Sequence, residues 1–117
     1  MPSIETIAIS KLITSEEYTR KVLPFIKEDY FETLDMKTLF GEINDYFTKY
    51  DQVPEINALK IEIDKRKDLS QEIVTEIEKF LDESIDKQQY NDDWLVDTTE
   101  KWCKERAIYL ALMDSIK

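Results

Sequence analysis

The residue types that do most protein chemistry are scarce in this chain, and where they occur their spacing favours structure over reaction. Cys103 is the one thiol. A cysteine nucleophile needs a base, and a sequence without His has no imidazole for a Cys-His or Ser-His-Asp arrangement and no His ligand for zinc. Set beside Trp102 on an apolar stretch, Cys103 reads as a buried structural thiol. The adjacent carboxylates Glu16-Glu17 and Asp92-Asp93 suggest acid–base chemistry, but neighbours on a helix point to different faces. Both pairs fall where helices are expected to start, so they complement the positive end of the helix dipole. No Asp-rich loop carries the glycine that a calcium-binding hand requires. A chain with a single Gly also lacks the material for a phosphate-binding loop or a dinucleotide fingerprint, each of which needs at least two at fixed offsets. The expectation is no catalytic, no cofactor-binding and no metal-ligating residue, and no enzymatic activity in this chain by itself.

What remains to do work is surface, and the elements that shape it follow from composition and periodicity. The sequence has 117 residues, 26 acidic against 16 basic, with 42% apolar and 11% aromatic residues. The acid excess leans toward disorder, but the aromatic content supplies a core, and one domain over residues 1–117 is expected. A net charge of −10 repels phosphate backbones, so direct nucleic-acid binding is not expected. No apolar run approaches the ~18 residues of a membrane span and no signal peptide opens the chain, so a cytoplasmic protein is expected.

The periodicity is helical throughout and predicts an all-α fold, a small orthogonal bundle of about six helices, with a long C-terminal helix. Ile4, Ile7, Ala8, Leu12 and Ile13 mark a first helix over about 4–13, with Ser3 as its cap. Thr14 and Glu17 suggest a capping box that launches a second helix, with Tyr18, Val22 and Phe25 on one face and Pro24 ending it. Tyr30 and Phe31 fall in a short turn and are expected to plug the core. Met36, Leu39, Phe40, Ile43, Phe47 and Tyr50 form the most regular stripe, with Asp35 as the expected cap. Asp51 to Pro54 breaks the pattern. A fourth helix runs over 56–65 with Leu59 and Ile63 inward, and Ser70 caps a fifth carrying Ile73, Ile77, Phe80, Leu81 and Ile85. From Asp92 or Asp93 the pattern stays helical to Lys117 with no terminator, which reads as a cut boundary.

One segment needs more cover than a surface helix. From Ala107 to Met113 there is no charge, and a helix apolar all round must be covered on more than one side. Two readings are open: a face that docks a partner, or the central helix of the domain wrapped by the other five. Leu95 and Trp102 belong to the domain's own core, and Tyr109, Met113 and Ile116 continue their stripe. Ile108 and Leu112 lie on the adjacent side, at roughly 100° of rotation per residue. These five residues, Ile108, Tyr109, Leu112, Met113 and Ile116, form the candidate partner interface.

The order of residues along nearly the whole chain resembles the N-terminal domain of DnaB-type replicative DNA helicases, most closely the branch of T-even-type bacteriophages. The match is carried by Ile9, Leu12 and Ile13, by Val22 with Pro24, and by Glu28-Asp29-Tyr30-Phe31-Glu32. Leu39, Phe40 and Ile43 follow, then Val53-Pro54 and Ile56-Asn57-Ala58-Leu59, then Trp94-Leu95-Val96, Thr99-Glu100-Lys101 and Arg106-Ala107. Met36 stands where bacterial members often carry His, and Asp51-Gln52 where they tend to have Gly; both favour the phage branch. The resemblance implies a collar domain that pairs, assembles into a ring of dimers above a motor ring, and recruits primase and loading factors. It implies that residues 93–117 lead toward a helical hairpin, and that ATP and magnesium belong to a motor domain absent from this chain. It implies the cytoplasm of an infected bacterial host. A different class is also open on charge alone, a stand-alone acidic protein that mimics nucleic acid; such a mimic needs rows of surface acids and no apolar docking face.

Overall fold

Ser3 caps the first helix as its position suggested: its hydroxyl accepts from the Thr6 N–H at 3.2 Å and starts α1, Ile4–Thr14. The computed structural model describes residues 3–116, and among these residues every regular element is helical. In α1 the residues Ile7, Ala8, Ile9, Ser10, Leu12 and Ile13 are all buried, so this helix is covered on nearly every side. A polar residue survives there because both halves of its hydroxyl are used. Ser10 Oγ donates to the Thr6 carbonyl at 2.7 Å and accepts from the Asp86 N–H at 2.8 Å.

The junction to α2, Glu16–Val22, is made by Ser15 and not by a Thr14–Glu17 box. Ser15 is extended, ends α1, and accepts from the Tyr18 N–H at 3.2 Å. Thr14 is still helical and turns its hydroxyl back to the Ser10 carbonyl. Pro24 ends α2 in a 3-10 turn, Leu23–Phe25, which leaves Phe25 exposed; Thr19 takes the inward place, its hydroxyl 2.8 Å from the Ser15 carbonyl. A second 3-10 turn, Glu28–Tyr30, delivers Tyr30 and Phe31 to the core as expected.

α3, Leu34–Tyr50, buries Thr38, Leu39, Phe40 and Ile43. Its cap position is Thr33; Asp35 lies inside the first turn and accepts from the N–H of Met36. Tyr50 is exposed because the last turn of α3 runs past the core. The helix stops at Asp51, which adopts the left-handed conformation at φ 58° and gives its N–H to the Phe47 carbonyl at 2.8 Å. Arg20 holds it there, donating to its carboxylate at 2.7 Å and to its carbonyl at 2.9 Å.

Two short helices, α4 (Ile56–Asp64) and α5 (Gln71–Lys79), close one side with Leu59, Ile63, Val74 and Ile77. Ser70 caps α5 as expected. The fifth helix does not continue as an α-helix to Ile85: it widens into a π-helical turn, Phe80–Ser84, that keeps Leu81 inward and leaves Ile85 half-buried. The connection that follows is tied to α1 through the Asp86 N–H on Ser10 and through Lys11 Nζ on the Gln88 carbonyl. The last helix, α6, is Asp92–Ser115, 24 residues. At ~1.5 Å per residue it is ~36 Å long, against a largest molecular dimension of 38 Å. Lys117, on which the expected helix end fell, lies outside the described residues.

Candidate interaction surface

α6 begins with a cap that the sequence reading missed: the Asn91 side chain accepts from the Trp94 N–H at 2.9 Å, ahead of Asp92 and Asp93 in the first turn. The signal was present, since Asn before a helical pattern is a strong cap. Leu95, Thr99, Trp102 and Cys103 bury the first half. Thr99 is its polar fixture. Its hydroxyl donates to the Leu95 carbonyl at 2.8 Å and so accepts from the Tyr18 hydroxyl, 2.7 Å away and also buried. Burial pushes the Tyr18 phenol well above its ordinary value, so it stays a donor. Trp102 packs edge-on against Tyr30 and Phe31, with centroids at 6.1 and 5.2 Å.

Half-buried Leu110 is the last apolar side chain of α6 against the core, and Arg106, one turn before it, the last polar fixture. The Arg106 Nε donates to the Tyr30 carbonyl at 2.7 Å, and its guanidinium lies 4.9 Å over the ring of Tyr109. From Ala107 on, α6 keeps only Leu110 against the body of the domain. Ile108 is 62% exposed, Tyr109 48%, Leu112 61%, Met113 42% and Ile116 74%, while Leu110 alone of this run stays half-buried. The central-helix reading of the uncharged run is overturned, and the helix it described is α1. Nor does the stripe of Leu95 and Trp102 remain buried through Tyr109, Met113 and Ile116, because the domain ends before the helix does.

The residues weighed for chemistry are accounted for by structure. Glu16 and Glu17 pair with Arg20 and Lys21 one turn on, at 3.0 and 3.2 Å. Burial pushes the Cys103 thiol up to about 11, so it is neutral and unreactive near pH 7. Among the described residues no three potential ligands gather into a metal-binding group, and no helix is long and apolar enough to cross a membrane.

The feature that stands out on this surface is thus the exposed, uncharged stretch of α6 from Ala107 to Met113. Over 108 residues, 90% of this chain, it is 33% identical to the DnaB-like replicative helicase of Enterobacteria phage T4. The chain is similar to a phage replicative helicase. The resemblance drawn from the order of core and turn residues is thereby borne out, and the chain spans 22% of the length of that helicase. No family model matches the chain.

Proposed function

We propose that this chain is the N-terminal assembly and primase- or loader-interaction domain of a phage replicative helicase, without catalysis of its own. The observation that carries the proposal is the 33% identity over 90% of the chain to a helicase of which it spans 22%. The bare second half of α6 supports it, since a domain that only folds has no use for an apolar helix standing clear of its core. In this proposal residues 1–117 form one collar domain, and α6 leads toward a helical hairpin and a motor domain that would supply ATP and magnesium chemistry. Ile108, Tyr109, Leu112, Met113 and Ile116 seat a second copy, giving dimers or a ring of dimers in the host cytoplasm, and neither nucleic acid nor membrane is bound by this part. A stand-alone acidic mimic would not carry the same exposed run.

Ile108→Asp combined with Leu112→Asp tests it. Both side chains are solvated, so near-wild-type helicity by circular dichroism is expected. Buried in an interface, two unpaired carboxylates are costly, so light scattering should show association lost and a pull-down should show weakened binding to the cognate primase. Association unchanged from the parent chain would overturn the assignment of this face.

A further inference from the structure

The end of α1, the loop before α4 and the π-helical turn enclose a cleft of about 700 Å³, to which α6 contributes no residue. Ile13, Pro54 and Leu81 are buried in its floor, and Val53, Ile56 and Ile85 are half-buried along its walls. Its rim is unlike its floor. Glu55, Asp82 and Glu83 stand there with two cations, Lys60 and Lys87, and Lys60 is already spent on Asp82. The edge continues along α5 through Glu78, which lines an adjoining depression with Lys79, Asp82 and Glu83. The Glu78 carboxyl is held above the usual carboxylate range, chiefly by its contact with Asp64. Glu55, Asp64, Glu78, Asp82 and Glu83 thus stand with Lys60, Lys79 and Lys87 along this edge, an acid excess beside the cleft that a cation arriving from outside would relieve.

We propose that this cleft docks a basic amphipathic segment of a partner protein, with apolar side chains between Ile13, Ile56 and Ile85 and Lys or Arg against Glu78, Glu83 and Glu55. The inference rests on the chain being an interaction domain and names a second surface on it. The occupant is not the chain's own exposed helix. From Ala107 to Ile116 that helix carries Asp114 and no cation, so a second copy would add negative charge to the rim. Nor is it a nucleic acid or an anionic lipid surface, which a net charge of −10 repels.

The probes are two synthetic amphipathic peptides of leucine with arginine and of leucine with glutamate, titrated into the isotope-labelled chain and followed by NMR. The arginine peptide is expected to shift the resonances of Ile13, Ile56, Leu81 and Ile85, and the glutamate peptide to leave them in place. Glu78→Lys with Glu83→Lys should weaken the arginine peptide about tenfold or more, while Asp45→Lys with Glu105→Lys, an equal change in net charge elsewhere, should weaken it less than about threefold. Equal weakening by the two double variants, binding of the glutamate peptide, or shifts gathered on residues 107–116 would overturn the proposal. Such a failure is separable from failure of the assembly role, which light scattering reads through Ile108 and Leu112 alone.

Discussion

α1 and the second half of α6 are built alike and used differently. Both carry apolar side chains around most of their circumference: Thr6 to Ser10 in one and Ala107 to Met113 in the other hold no charge. In α1, Ala8, Ile9 and Leu12 are fully buried, whereas Leu112 is 61% exposed. The difference lies in what surrounds them. α1 has α2, α3 and α6 against it, and the chain after Ser84 is strapped along it by Asp86 and Gln88. α6 passes its last polar fixture at Arg106 and beyond it keeps only Leu110 against the core. An all-round apolar helix therefore announces how many of its sides must be covered; its place relative to the rest of the domain decides whether that cover is internal.

Stability measurements can break this contrast most directly. Phe40→Ala, which empties a packed site beside Phe31, should cost about 3–5 kcal/mol, and Leu12→Ala about 2–5 kcal/mol, whereas Leu112→Ala should stay within about 0.5 kcal/mol. Equal losses of melting temperature at Leu12 and Leu112 would mean that the second half of α6 is covered in the monomer.

A smaller effect sharpens the same contrast with polar groups. Thr99→Val strands the buried Tyr18 hydroxyl and should cost about 1–3 kcal/mol in urea unfolding. Ser115→Ala removes a bond of 2.8 Å to the Leu112 carbonyl and should cost almost nothing because water replaces it.

A further contrast with the bare half of α6 is alkaline. The Cys103 thiol ionises at about 11 in the fold against 9.0 when free, and the Tyr18 phenol is raised as well. Each group thus keeps its proton longer in the folded than in the unfolded chain. Their contribution is complete below the unfolded values and is lost as pH rises through the folded ones. Stability should fall from about pH 9 to 11 in denaturant titrations, and Cys103→Ala should flatten that fall.

Much of the fold was legible because its rules are local. Ser3, Ser70 and the stripe Leu39, Phe40 and Ile43 stand where capping and periodicity put them. Ser15 was missed because Thr14 and Ser15 are both good caps, and only the path of the chain chooses between them. Tyr50 and Phe25 were assigned inward because periodicity does not report where a core stops. The π-helical turn was invisible for a related reason, since Phe80, Leu81 and Ile85 suit an α-helix equally well. The residues Ile108, Leu112, Tyr109, Met113 and Ile116 were singled out by the uncharged run, and the choice between an exposed face and a central helix turned on where the rest of the domain stops, a tertiary fact. The cleft beside α4 left no pattern at all, for its walls come from three separated stretches.

Ionic strength gives the bare half of α6 a further property. Two copies that approach through it bring together net charges of −10 each, so at low salt their mutual repulsion opposes the contact. Added salt shortens the screening distance to about 8 Å near physiological strength, which removes the repulsion and leaves the apolar attraction intact. In the proposed assembly, contact through Ile108 and Leu112 would therefore tighten as salt rises, the reverse of what a contact made of ion pairs does. On that proposal the acid excess is a solubiliser for the tail: copies would stay dispersed while ions are few and gather as counterions become plentiful.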